Sequence, residues 1–244
     1  IAEALHANGW DDRALAEVQR ALAIDGANAD YHLLRAQILA AQEKTAEATR
    51  AAQIVIALDE RKIKKVMALA EDLYTSEARQ VYLKAIEKNP REIIPYVGLG
   101  TVELQRNRVD DAETWIRKAE ALQPKHATVL LALGRLEVVK KNYPEAVAHL
   151  EASRAAPEGE ESSILYGTLG NAYAKLGRWD DAAKALQQAL LRQRRNTEWR
   201  LLQADAFLHL GRPRDAELRY REVLALEPNS GEAWQGLKSL GKRY

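Results

Sequence analysis

The chain has 244 residues, of which 47% are hydrophobic and 6% aromatic, with 36 lysines and arginines, 35 aspartates and glutamates, and no cysteine. The net charge of +1 gives no electrostatic basis for binding nucleic acid or an anionic membrane. Without cysteine the chain cannot form disulfides, thiolate metal sites or a cysteine nucleophile. Purely apolar runs are short, whereas a membrane-spanning helix needs roughly 20 apolar residues, so we predict no membrane span.

Seven alanines recur along the chain at almost constant spacing. They are Ala14, Ala48, Ala78, Ala112, Ala146, Ala182 and Ala216, separated by 34, 30, 34, 34, 36 and 34 residues. A period of about 34 residues indicates a solenoid of helix-turn-helix repeats, in which each repeat packs against its neighbours. We therefore predict an all-α fold and one continuous array over residues 1–244.

The period divides this array into units of two helices. In chain order we expect a partial repeat at 1–28, repeats at 29–58, 59–92, 93–126, 127–162, 163–196 and 197–230, and a closing helix at 231–244. Pro90, Pro124 and Pro228 are predicted to stop second helices, because proline cannot donate a hydrogen bond to the helix.

The turn between the two helices of a repeat also leaves a pattern in the sequence. A residue at the C-terminal end of a helix often takes a positive φ, which glycine and asparagine tolerate best. We expect this conformation at Gly9, Asn107, Gly177 and Gly211.

Two steps of the alanine period depart from 34 residues. The 30-residue step lacks about one helical turn and coincides with the stretch 59–65, so we expect this repeat to stay helical but to pack atypically. The 36-residue step lengthens the acidic turn at 157–163, where Ser163 is expected to cap the following helix.

The residues around the alanines resemble the tetratricopeptide repeat. The best copy is Tyr166, Leu169, Gly170, Tyr173, Gly177, Ala182, Leu186 and Ala189. The resemblance implies a right-handed superhelical solenoid that holds protein partners. It covers essentially the whole chain, which opens inside what looks like the end of a first helix. We therefore expect further repeat sequence before Ile1, and an uncapped N-terminal end through which two copies could associate.

Residues that could carry chemistry fit structural roles better. The pairs Asp11–Asp12, Asp110–Asp111 and Asp180–Asp181 recur at one repeat position, where we expect helix N-caps and favourable first-turn charges. The five histidines lack the spacing of metal ligands, and no nucleophile or phosphate-binding motif occurs. We predict that the protein is not an enzyme and has no metal, cofactor or catalytic residue.

In arrays that this chain resembles, the first helix of each repeat forms the inner, concave wall. The corresponding residues mix apolar and polar side chains, which suits an extended or helical peptide in a groove. They are Leu33, Gln37, Val97, Thr101, Leu104, Leu131, Arg135, Val138, Asn171, Lys175, Leu201, Asp205 and Leu208. The alternative is that several of the leucines are buried between neighbouring helices.

A basic run, Arg61, Lys62, Lys64 and Lys65, is an additional candidate docking point for an acidic partner. The alternative is a solvated helix face balanced by the flanking acids Asp59, Glu60, Glu71 and Asp72. Chaperone-tail binders of similar fold hold a terminal carboxylate with a lysine and an asparagine on adjacent first helices. Asn171 is present here, but Gly167 stands at the lysine position, so we expect no chaperone-tail binding.

These observations predict a protein-protein interaction scaffold or adaptor that binds a partner segment in the concave groove. The alternatives are a self-assembling array and the interaction arm of a larger enzyme. The alanine- and arginine-rich turns look bacterial, and bacterial arrays of this kind often serve envelope assembly, in pilus or secretin biogenesis or exopolysaccharide export. This resemblance favours a periplasmic or outer-membrane-associated location over a cytoplasmic one.

Overall fold

A computed structural model describes residues 1–70, 75–157, 159 and 161–241, apart from the side chains at 60, 64, 67, 70 and 75. All regular structure in these ranges is helical, as the period predicts. The chain forms two compact units, residues 1–124 and 125–244. No described helix is long and apolar enough to cross a membrane.

In the first unit, consecutive helices pair across short turns. They are α1 (Ala2–Ala7), α2 (Asp11–Ile24), α3 (Ala29–Ala41), α4 (Thr45–Leu58), α5 (Ile63–Ala70), α6 (Thr75–Lys88), α7 (Ile93–Gln105) and α8 (Val109–Leu122), with a 3-10 turn at Glu60–Lys62 before α5. The structure describes eight residues of α5, and they are helical. The described part of the shortened 30-residue step is therefore helical, as expected.

The second unit repeats the pattern more regularly. Its helices are α9 (Ala127–Val139), α10 (Tyr143–Ala155), α11 (Ser163–Lys175), α12 (Trp179–Arg192), α13 (Thr197–His209), α14 (Pro213–Leu226) and α15 (Gly231–Ser239). The cap of α11 is Ser162, whose hydroxyl accepts from the Leu165 amide, and not Ser163. Ser163 is already the first helical residue, so its side chain comes too late for that role.

The recurring alanines form the contact between the two helices of a repeat. All seven are buried, six of them with no exposed surface. In the first helix, Gly134 lies so close to Leu150 that an added Cβ would be 2.5 Å from the Leu150 Cγ. Small residues at these two positions therefore let the paired helices approach closely, and large apolar residues beside them fill the core.

The aspartate pairs supply charge to the helix starts but do not cap them. The caps of α2, α8 and α12 are Trp10, Arg108 and Arg178, and none of these side chains bonds to the helix amides. The aspartates lie inside the first turn, where they complement the positive end of the helix dipole. The prediction of first-turn charges is confirmed, and the prediction of N-caps is wrong.

Side chains five residues apart connect the end of a first helix to the turn that follows it. The pairs are Glu103–Arg108 at 3.9 Å, Glu137–Asn142 at 3.2 Å, Tyr173–Arg178 at 4.3 Å from ring to guanidinium, and Phe207–Arg212 at 4.6 Å. The contact changes from ionic to hydrogen-bonded to cation–π, while its position in the repeat stays the same. It holds the turn between paired helices in place.

The predicted positive φ angles are confirmed at Gly9, Asn107, Gly177 and Gly211. The same conformation occurs at Glu43, with φ of 59°, and at Lys141, with φ of 62°. Side chains with a Cβ are strained there, because the left-handed region brings the Cβ close to the backbone. These two turns keep their geometry despite an unfavourable residue.

Replacing Lys141 with glycine should therefore stabilise the protein. The gain should be about 0.5–1 kcal/mol, since relief of the strain exceeds the extra entropy that glycine loses on folding. Urea unfolding followed by circular dichroism measures the difference. Lys140→Gly is the matched control, because Lys140 has φ of −72° and should lose stability. A destabilised Lys141→Gly variant would show that φ is not the limiting feature of this turn.

Candidate functional site

The first helices of the N-terminal unit form an open groove with a volume of about 460 Å³. Helices α1, α3 and α5 contribute to it, and its lining residues are His6, Gln37, Ala40, Ala41, Lys65, Ala68 and Leu69. The walls are small and apolar, while the polar groups are an imidazole, an amide and an ammonium. This volume is within the range of pockets that bind small ligands or a few residues of a peptide.

Two sequence candidates thus come together, because Gln37 from the groove set and Lys65 from the basic run line the same cavity. On α3 the lining residues follow the spacing Gln37, Ala40, Ala41, and on α5 they follow the same spacing from Lys65 to Leu69. Such spacing puts three side chains on one helix face. Lys65 follows Gln37 by 28 residues, two fewer than the 30-residue alanine step. The shortened step therefore brings a different residue into the groove.

The rest of the basic run is largely neutralised by acidic neighbours. The guanidinium of Arg61 lies 2.9 Å from the Asp59 carboxylate, and the ammonium of Lys62 lies 2.7 Å from that of Asp30. Hydrogen bonds from Arg61 hold the pKa of the Asp59 carboxyl below its usual value. Acidic neighbours thus balance both charges, with the Arg61 side chain 88% exposed and that of Lys62 17% exposed. The Lys64 side chain and residues Glu71 and Asp72 lie outside the described part, as does the Glu60 side chain.

Lys65 differs from its neighbours. Its side chain is exposed, and it forms no ion pair or hydrogen bond with any described residue. Gln37 is likewise exposed, and its amide has no partner within the described ranges. The groove therefore presents one cation and one amide that are both available to a ligand.

Other predicted groove residues of this unit differ in accessibility. Leu33 is only 6% exposed and packs in the core with Ala36 and Leu39, so it does not line the groove. Its position on α3 faces the paired helix, as the alternative of burial between helices anticipated. Val97, Thr101 and Leu104 on α7 are half-buried and retain accessible surface.

In the second unit the candidates form a mixed apolar and polar surface on α9, α11 and α13. Leu131, Val138, Leu201 and Leu208 are half-buried and pack against the core with one side. Arg135 and Asn171 are half-buried, whereas Lys175 and Asp205 are exposed. Burial lowers the pKa of the Arg135 guanidinium. The leucines thus contribute to both stability and the accessible surface.

Asp205 is oriented by the scaffold. Its carboxylate accepts a hydrogen bond of 2.8 Å from the hydroxyl of Tyr220 on α14. Burial, and then this hydrogen bond, raises the pKa of the tyrosine. The second helix of the repeat therefore holds a groove carboxylate of the first helix in a defined position, which reduces the entropy cost of using it in binding.

Gly167 stands at the position of the absent lysine, and the space that a side chain would need there is filled by Trp199 of the next repeat. A Cβ at Gly167 on α11 would overlap the indole ring of Trp199 on α13. No side chain fits there while the tryptophan is in place. A lysine at this position would therefore require Trp199 to move.

Shifted pKa values mark structural contacts in this protein. Burial and a hydrogen bond to Glu151 raise the pKa of Tyr173 to about 12, far above the range useful for acid–base chemistry near neutral pH. Among the described residues no group of three His, Cys, Asp or Glu side chains could hold a metal ion.

The groove residues that sequence reasoning missed are His6, Ala40, Ala41, Ala68 and Leu69. Ala40 and Ala41 could have been found, because they follow Gln37 by one helical turn. Ala68 and Leu69 could not, because the shortened step hides the register of α5.

Comparison with known proteins agrees with this architecture. The tetratricopeptide repeat family model matches residues 68–127, 97–160 and 168–230. The anaphase-promoting complex subunit cut9 of Schizosaccharomyces pombe is 27% identical over 141 residues, which are 56% of this chain and 21% of that protein.

Solved structures show the same fold. The Cut9 chain of the APC/C hetero-tetramer Cut9–Hcn1 superposes with a TM-score of 0.74 and 23% identity, over 97% of this chain and 47% of that one. A tetratricopeptide repeat protein from Parabacteroides merdae gives 0.64 and 17%, over 99% and 96%. YrrB, described as having an unusual peptide-binding site, gives 0.52 and 14%, over 91% and 97%. The chain spans about half of the Cut9 structure and about a fifth of its curated relative.

Proposed function

This chain belongs to the tetratricopeptide repeat family, and we propose that it is a non-catalytic scaffold or adaptor that binds a segment of a partner protein along its first helices. The observation that carries the proposal is the accessibility of the predicted groove residues. All of them except Leu33 keep exposed or half-exposed side chains, although the same helices are otherwise largely buried. Mixed apolar and polar surfaces of this kind suit peptide recognition.

The relatives support the proposal in general terms. Tetratricopeptide repeat proteins bind protein or peptide partners, Cut9 forms a hetero-tetramer with Hcn1, and YrrB has a peptide-binding site. At these identities, however, the likeness concerns the fold, and the partner of this chain must be found by experiment.

Peptides selected from a random library on the wild-type protein should depend on the groove. We test two variants, Gln37→Ala and the double variant Asn171→Ala/Lys175→Ala. Each selected peptide should lose affinity about tenfold or more with at least one of them. The matched control is Lys184→Ala, which removes an exposed lysine and its surface pair with Asp180 from α12. Circular dichroism should show unchanged helicity in all three. Peptides that bind all variants equally well would contradict the groove as the binding surface.

We further propose that this scaffold acts in bacterial envelope assembly, such as pilus or secretin biogenesis or exopolysaccharide export. Its support is the character of the turns, Gly177-Arg178-Trp179 and Leu210-Gly211-Arg212. Fractionation of cells that express the intact gene tests this part of the proposal, since an envelope role requires recovery outside the cytoplasm.

A further inference from the structure

We propose that the groove between α1, α3 and α5 recognises an acidic side chain, aspartate or glutamate, in an extended peptide segment, with Lys65 as its counter-ion. This inference rests on the proposed function and names the partner chemistry of one of its grooves. The occupant is therefore a segment with a carboxylate flanked by small or aliphatic residues.

The Lys65 ammonium in the groove has no acidic partner among the described residues. Arg61 and Lys62 are paired with Asp59 and Asp30, so a ligand would have to displace a carboxylate already in place. Lys65 lines the cavity and has no such competitor within the described ranges. A ligand carboxylate can therefore gain the charge-assisted contact without breaking an existing pair.

The other polar residues that line the groove are His6 and Gln37. The Asp11 carboxylate is engaged by the His6 Nδ1 at 2.6 Å, so it is not available to Lys65. Gln37 lies on the groove wall with an exposed amide, which can donate to a carboxylate or to a peptide carbonyl. A cation and a neutral donor on two adjacent first helices together select for a negatively charged acceptor.

The walls of the groove are formed by small and aliphatic side chains. Ala40, Ala41 and Ala68 present only methyl groups, and Leu69 closes the apolar side of the cavity. Short side chains let an extended main chain approach the helices, so that a carboxylate carried by it can reach Lys65.

The experiment uses a random peptide library displayed on phage and the full chain as bait. Peptides that depend on Gln37 should be enriched in aspartate and glutamate. Lys65→Ala should weaken their binding about fivefold, and added salt should weaken wild-type binding in the same direction. Lys65→Glu should change the enrichment from acidic to basic peptides. Arg61→Ala is the control, because it removes the same charge from the same run outside the cavity.

Each outcome decides a different point. Peptides that depend on Gln37 but show no acidic preference, or that bind Lys65→Ala as well as wild type, overturn the charge specificity and leave the proposed function standing. Peptides whose affinity is lost on C-terminal amidation, and not on Asp→Asn or Glu→Gln replacement, overturn the side-chain assignment in favour of a terminal carboxylate. If no peptide depends on any groove residue, both proposals fail. Thermal unfolding of the Lys65 variants shows whether they keep the wild-type fold.

Discussion

Replacing Arg79 with methionine should lower the free energy of unfolding by about 2 kcal/mol, because it takes the closest partner from a buried carboxylate, while the 38% exposure of the Arg79 side chain reduces the cost below that of a fully buried pair. Glu103 on α7 is 1% exposed, and its carboxylate accepts from the Arg79 Nε at 3.0 Å. Arg106 and Arg108 lie farther away, at 3.7 and 3.9 Å from the other carboxylate oxygen. Without Arg79, a buried charge therefore keeps only its weaker contacts.

The double variant Arg79→Met/Glu103→Met should recover much of that loss. Removing both charges leaves no uncompensated carboxylate, and an apolar pair of similar size is often as stable as the buried ion pair it replaces. Arg106 and Arg108 are 32% and 52% exposed at the side chain, so water can solvate them.

Urea unfolding of the wild type, both single variants and the double variant gives the coupling energy directly. Lys184→Met, which breaks a pair between exposed side chains, should leave stability close to that of the wild type. If Arg79→Met costs no more than this control, the cluster around Glu103 is not a buried electrostatic contact that stabilises the unit.

Replacing Gly134 with alanine should destabilise the protein by about 2 kcal/mol, as overpacking in a tightly packed core does. In an exposed helix the same change would stabilise by about 1 kcal/mol, because alanine is the better helix former. Here the new Cβ would lie 2.5 Å from the Leu150 Cγ and 3.3 Å from the Ala146 carbonyl oxygen. Leu150 is fully buried and cannot move away, so the steric term exceeds the helix propensity.

Gly231→Ala is the matched control, since a Cβ at this position on α15 meets no atom within 4 Å. It should be neutral or slightly stabilising. Combining Gly134→Ala with Leu150→Ala should cost less than the sum of the two single changes, because the added methyl fills part of the cavity. An additive double variant, measured by urea unfolding, would contradict the proposed close contact.

The sequence predicted those parts of the fold that depend on a repeated steric requirement. Ala14 and its counterparts must be small wherever paired helices touch, so their spacing was visible and their burial is confirmed. Gly177 occupies a turn that needs a positive φ, whereas Lys141 adopts the same angle without any residue preference to indicate it. A turn held by its surroundings can override local propensity.

The candidate groove was predictable only where the register is regular. Gln37 lies at its expected place on α3, but the shortened step shifts α5 so that Lys65 enters the cavity. Leu33 was assigned to the groove because an ideal repeat exposes that position, and its burial reflects local packing. A period fixes which helix a residue belongs to, while the face it presents depends on how the neighbouring helices pack.

The contact between Gly167 and Trp199 couples these two positions for protein engineering. A lysine at position 167 would collide with the indole ring while Trp199 stays in place. Replacing the tryptophan with a smaller residue would remove the collision but leave a cavity, which has its own cost in stability. A variant that places a cation at position 167 should therefore also change position 199.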